Sequence, residues 1–202
     1  MSTPHPLAAL LKDKKYSGDV ADITALTKPY HGKSKTRAII LGADPTHIIN
    51  DKPVIMEKVF GLEKEESPYW RSIQRNLDQL NFITIDNLYV QNVCQNYFKC
   101  ETSKNKEWLN IAREYWIPFL KEELDGLFDP EVPVLLTTEF ILKAVLKDPA
   151  QIKKAKDIYT DKISFPPTVN RLGREMFAFY RHYKYGLGRW KEYGGFLDGR
   201  LG

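Results

Sequence analysis

The chain has 202 residues, 43% of them hydrophobic and 28% charged, with 30 Lys and Arg against 26 Asp and Glu for a formal net charge of +4. That length closes one core and is short for two domains, and the composition excludes a disordered or fibrous chain. No apolar run approaches the roughly 20 residues that cross a bilayer. Its two cysteines, Cys94 and Cys100, supply neither a disulfide framework nor the ligands of an iron–sulfur cluster or a structural zinc.

The opening run MSTPHPLAALLKDKK has no basic start followed by a long apolar stretch, so no secretory signal is expected. Pro6 to Tyr30 reads as a short helix through Leu7, Leu10 and Leu11 followed by a loop, and His31 to Lys35 as a basic linker. Arg37 to Gly42 is a compact apolar run ending in glycine, the pattern of a buried parallel strand. Ser67 and Pro68 offer an N-cap and a first-turn proline, and the helix that follows buries Trp70, Ile73, Leu77 and Leu80.

Phe82 to Val93 supplies strand material with a turn at Asp86-Asn87. Lys106 to Leu124 is an amphipathic helix that Pro118 kinks. Val132 to Thr137 is a buried strand, Glu139 to Leu146 a short helix and Ile163 to Phe165 a brief strand. Arg171 to Tyr183 reads as a final helix, and 186–202 as a glycine-rich, weakly structured tail.

Strands alternating with helices imply an α/β fold, a three-layer α/β/α sandwich around a central, mainly parallel sheet, as one domain over residues 1–202 with 1–36 as an N-terminal helix and loop. Ligands of such sheets bind beyond the carboxyl ends of the strands. Those ends are expected at Gly42-Ala43-Asp44, Gln91-Asn92, Thr137-Thr138 and Phe165-Pro166. Charge is uneven: Gln151 to Gly202 holds 11 Lys and Arg against 5 Asp and Glu, which suits phosphate contacts or simply a solvated basic face.

The most informative segment is Ala38 to His47, AIILGADPTH. Asp-Pro at a helix start is by itself an ordinary capping pair, repeated here at Asp148-Pro149. With its strand and glycine, however, the segment resembles the first motif of uracil-DNA glycosylases, a strand followed by Gly-Gln-Asp-Pro-Tyr-His. Later segments resemble the family in order. Ser67-Pro68-Tyr69-Trp70-Arg71 is similar to the proline-led helix start that contacts the DNA backbone. Leu88 to Asn92 is similar to the strand ending in the base-reading asparagine. Phe165-Pro166-Pro167-Thr168 stands where the His-Pro-Ser loop is expected.

The resemblance implies hydrolysis of the bond between a damaged base and deoxyribose in DNA, without metal or other cofactor, by a monomer; the sparse cysteines suit a reducing cytoplasm. Asp44 would stabilise the sugar cation and orient water, Asn92 would read the base edge, and Phe60 would stack on the flipped base. Gly42, Ala43, Thr46, His47 and Phe165 would complete the base pocket. Ser67, Arg71, Thr168, Asn170, Arg171, Arg181 and His182 would meet the DNA backbone. Each has a plainer reading: Asn92 as a strand end, Phe60 as core, His47 as a surface residue, Arg181 and His182 as the polar face of a helix.

Three departures matter. Thr46 stands for the tyrosine that excludes the thymine methyl, Ala43 for a glutamine, and Phe165 for the histidine that donates to the leaving base. A slow enzyme, one using Asn170 or Arg171 as donor, or a catalytically inactive member that binds nucleic acid or a nucleobase all fit. A hydrolase using Asp44 and His47 on a metal lacks an evident third ligand. The iron–sulfur branch of the family is excluded by the cysteine count.

Overall fold

A computed structural model of the protein describes residues 5–23, 25–64 and 67–202. Met1 to Pro4, the head of the segment read as carrying no secretory signal, lie outside the described residues. Among the described residues no helix is long and apolar enough to cross a membrane.

The first helix, α1 (Pro6–Lys12), starts on a His5 cap with proline in its first turn. Strand β1 (Tyr30–His31) precedes β2 (Ala38–Gly42), the apolar run, whose five residues are all buried. Successive strand residues point to opposite faces, so both faces of the sheet are covered here. A small hairpin of β3 (Ile48–Ile49) and β4 (Lys52–Pro53) turns through Asn50 and Asp51, both at positive φ, as a two-residue hairpin turn requires.

Helix α2 (Pro68–Leu77) begins at the Ser67 cap, with Ile73 and Leu77 buried and Trp70 and Leu80 partly so. Strand β5 (Leu88–Asn92) is again buried at every position and follows a helical turn at Ile85–Asn87. The long amphipathic stretch is α3 (Trp108–Ile111), a π-turn over Ala112–Trp116 and α4 (Ile117–Leu127). Pro118 lies in the first turn of α4, directly after the π-turn, so the interruption expected there takes the form of a widened turn. Strand β6 (Val134–Leu136), α5 (Glu139–Val145), α6 (Ala155–Thr160), β7 (Ser164–Phe165), β8 (Met176–Ala178) and α7 (Lys191–Leu201) complete the order.

The central sheet has the order β1-β5-β2-β6-β8-β7, with β5, β2, β6 and β8 parallel and the two edge strands antiparallel. The fold is therefore α/β with a central, mostly parallel sheet. From β2 the chain moves to β5 on one side and then to β6 on the other, so a topological switch point lies between β2 and β6.

Two expectations for the C-terminal part are corrected. Arg171 to Tyr183 is not a helix: it contains β8, fully buried, after a Gly173 at φ +69. The strand's apolar run also satisfies helical spacing, and tertiary burial decides between the two. Nor is 186–202 weakly structured. Helix α7 buries Tyr193, Leu197 and Leu201 at four-residue spacing, Asp198 accepts hydrogen bonds from the Asn81 and Phe82 backbone, and Arg37 donates to the carbonyls of Leu201 and Gly202.

Candidate functional site

A cleft of about 710 Å³ opens at the carboxyl ends of the parallel strands, within the range of small-molecule and cofactor sites. The segment after β2 contributes Ala43 to His47, the end of β5 Asn92, the segment after β6 Thr137 and Thr138, and the segment after β8 Tyr180, Arg181 and His182. Phe60, Tyr69 and Ser72 line it from the segment around α2. Thus Asp44, Asn92 and Phe60, separated in sequence, border one cavity.

Asp44 keeps some surface in the cleft, yet protein encloses its carboxyl group. One oxygen accepts the Thr46 N–H at 2.8 Å and the other accepts the Thr102 hydroxyl. The first bond is the capping turn that Asp-Pro favours, and Asp148 makes its counterpart with the Ala150 N–H at 2.9 Å. What sets Asp44 apart is the second oxygen and its place in the cleft. Burial pushes its carboxyl above the ordinary carboxylate range, opposed by the hydrogen bonds from Thr102 and Thr46 and by the nearby Trp108 indole. Among the described residues that indole N–H has no hydrogen bond of normal geometry.

The Asn92 side chain is buried at the end of β5, its amide donating to Thr27 Oγ1 at a long 3.4 Å. Gly42 lies beside it: a Cβ there would overlap Asn92 Oδ1 and come 2.6 Å from Phe60 Cζ. The glycine lets the carboxamide and the ring meet over the strand end. Phe60 is partly exposed and sits at φ +57, a conformation costly for a bulky residue, followed by Gly61 at φ +66. Its carbonyl accepts the Ser67 hydroxyl, which also caps α2. Ser67 therefore supports Phe60 from within, with its hydroxyl already committed.

Thr46 Oγ1 accepts the Phe98 N–H at 2.8 Å. His47 Nδ1 and Tyr69 Oη are hydrogen-bonded at 2.6 Å, and Glu101 lies 3.6 Å from the same nitrogen. Burial raises the Tyr69 hydroxyl pKa, with Arg181 pulling the other way. Tyr69, Glu101, Thr102 and Arg181 as a cleft residue escaped the sequence reading. Glu101 and Thr102 belong to a loop without periodicity, and Tyr69 gave no signal beyond its place in a helix start.

The remaining candidates do not gather here. Phe165 is buried on β7, whose antiparallel course puts its carboxyl end beside Met176 at the start of β8, away from the cleft. Asn170 is fully buried and spends its carboxamide locally, donating to the carbonyls of Pro166 and Arg174 and accepting from Leu172 and Gly173 N–H. It is a loop clasp and offers no donor to a ligand. Thr168, Arg171 and Arg71 are exposed residues outside the cleft lining. His182 lines the cleft mouth and caps the turn at Lys184.

Among the described residues no group of three or more His, Cys, Asp or Glu side chains is placed to hold a metal ion. A second groove, lined by Lys153, Lys154 and Lys156, shares Glu139, Ala155 and Tyr185 with the cleft. The arrangement offers a partly desolvated carboxylate, a buried carboxamide and an aromatic face. Compared with known proteins, the chain matches no family model and no curated protein.

Proposed function

We propose that the protein is a DNA glycosylase-like hydrolase that removes uracil or a related damaged base, with a three-layer α/β/α fold of the uracil-DNA glycosylase kind. The observation that carries this reading is the convergence of Asp44, Asn92 and Phe60 on one cleft at neighbouring strand ends, with Gly42 between the last two. Covered sheet faces and a cleft at the carboxyl ends of the parallel strands support the fold.

An extruded base stacks on Phe60, and the Asn92 carboxamide offers a donor and an acceptor to its edge. Ionised Asp44 faces the sugar, stabilises the positive charge that grows there and orients water. Thr46, smaller than tyrosine, leaves room for a base larger than uracil. The groove of Lys153, Lys154 and Lys156 suits the phosphates of the strand, and one copy of the chain supplies every group named.

The test is base release from a uracil-containing single-stranded oligonucleotide with enzyme in excess. Asp44→Asn is expected to slow release by about 10²- to 10⁴-fold while the protein stays folded. No release by the unmutated protein from uracil, hypoxanthine or mismatched-thymine substrates would end the catalytic reading. One observation favours a second reading, a binder without turnover: both Asp44 oxygens already accept hydrogen bonds. Salt-sensitive binding of the same oligonucleotides without product would establish it.

A further inference from the structure

Breaking a glycosidic bond sends its electron pair to the departing base, and Phe165, at the position read as the donor to that base, lies away from the cleft on the β7 edge. The loop after β8 instead brings Arg181 into the cleft. Its guanidinium carbon lies over the Tyr69 ring, 4.7 Å from the centroid, and its backbone N–H donates to Thr137 O at 3.1 Å. Among the described residues the guanidinium has no hydrogen bond or ion pair, so its five N–H donors remain available. The cation–π contact holds the guanidinium at the Tyr69 ring without using any of its N–H donors.

Two more polar groups stand unused beside it. Thr138 Oγ1 and Tyr180 Oη belong to residues lining the same cleft, are buried and have no hydrogen-bond partner among the described residues. Buried polar atoms are ordinarily paired, and these two, with almost no surface of their own, are unspent groups in the wall of the cleft. Burial lowers the Arg181 pKa, while Tyr69, Asp44 and Glu101 oppose the shift, and an arginine stays charged throughout the working range. Asp44 and Arg181 thus present opposite charges to one cavity, matched to a reaction that builds a cation on one fragment and an anion on the other.

We infer that Arg181, held against the Tyr69 ring, is the catalytic residue that receives the negative charge of the departing base; this rests on the base-excision reading for the identity of the ligand. The bond from C1′ to the base nitrogen breaks with both electrons going to the base. Water oxygen bonds to C1′, its proton passes to Asp44 and on to solvent, and the base anion held by Arg181 takes a proton from solvent as it leaves.

The experiment compares the unmutated protein, Arg181→Met and Arg181→Lys, each checked for folding by thermal melting. Single-turnover release of uracil and of 5-fluorouracil, whose anion is the more stable, is measured alongside binding of free 5-fluorouracil from its neutral to its anionic form. Arg181→Met is expected to slow uracil release by about 10²- to 10³-fold, 5-fluorouracil release by clearly less, and to lose the preference for the anion. Arg181→Lys should recover part of each. Equal slowing of both substrates, appearing as weaker oligonucleotide affinity with a shallower salt dependence, would make Arg181 a phosphate contact and overturn the inference. So would unchanged rates in a protein that releases base, with the excision reading left standing. If the unmutated protein releases neither base yet binds the anion through Arg181, the excision reading falls and the anion site stands. If it neither releases nor binds, both fall.

Discussion

Asp44 is asked to be charged in a place that disfavours charge. Its carboxyl pKa is raised by burial, and two hydrogen bonds recover only part of the lost hydration. The sign of the consequence follows from proton linkage. Between the ordinary carboxylate pKa and the raised native one, the folded chain binds more protons than the unfolded chain, so stability falls as pH rises through that window. Asp44→Asn removes the charge and keeps an oxygen to accept the Thr46 N–H. Its Tm is therefore expected above that of the unmutated protein at pH 7, with the gap closing as pH is lowered through that window and gone below about 3.9, where the side chain is neutral in both the folded and the unfolded chain. Thermal melts across pH check this, and an asparagine variant less stable at pH 7 would show that burial of the charge is not the governing effect. The same ionisation sets the acid limb of kcat/KM, which should lie above the usual carboxylate range. A stability gain joined to a loss of base release is the mark of a residue retained for chemistry at the expense of the fold.

Among the elements, the segment from Phe60 to α2 shows how local structure positions a ligand face. Ser67 caps the helix through Trp70 N–H and donates to the carbonyl of Phe60, whose left-handed backbone would not persist without such restraint. Ser67→Ala removes both interactions. It should cost about 1–2 kcal/mol in chemical denaturation, and base affinity should fall as the ring loses its fixed orientation. Loss of stability with unchanged affinity would assign Ser67 to capping alone. The cap was legible in the sequence because Ser-Pro is a local signal, whereas the positive φ of Phe60 was not, since nothing in the residue type announces it. The buried strands β2 and β5 were legible for the same local reason, being continuous apolar runs closed by turn-forming residues. Strand β8 was not, because Leu172, Met176, Phe177, Phe179 and Tyr180 fit a helical stripe as well as a buried strand. Helix α7 was hidden by Gly194, Gly195 and Gly199, each costing about 1 kcal/mol of intrinsic preference. Burial of Tyr193, Leu197 and Leu201 and the clasp by Arg37 outweigh that. The misreading of β8 then carried into the site, since a strand delivers Arg181 to the cleft where a helix would have left it on a polar face.

At the scale of the whole molecule, the sheet order puts four parallel strand ends on one side and leaves β7 running the other way, which is why Phe165 and Arg181 exchanged places relative to expectation. The same end of the molecule carries part of the positive charge of the C-terminal quarter. Lys153, Lys154 and Lys156 line a groove that shares three residues with the cleft, so on the base-excision reading the strand phosphates would lie along those ammonium groups. Each phosphate neutralised on a single strand releases counterions and steepens the salt dependence by about 0.7. Replacing the three lysines by glutamine should therefore make the slope of log K against log salt shallower by up to about 2. It should leave the single-turnover rate at saturating protein unchanged, because none of the three lines the cleft itself. Fluorescence anisotropy over a salt series, paired with that rate, reads both quantities. An unaltered slope would confine DNA contacts to the cleft itself, while an altered rate at saturation would mean that the groove orients the base as well as holding the strand.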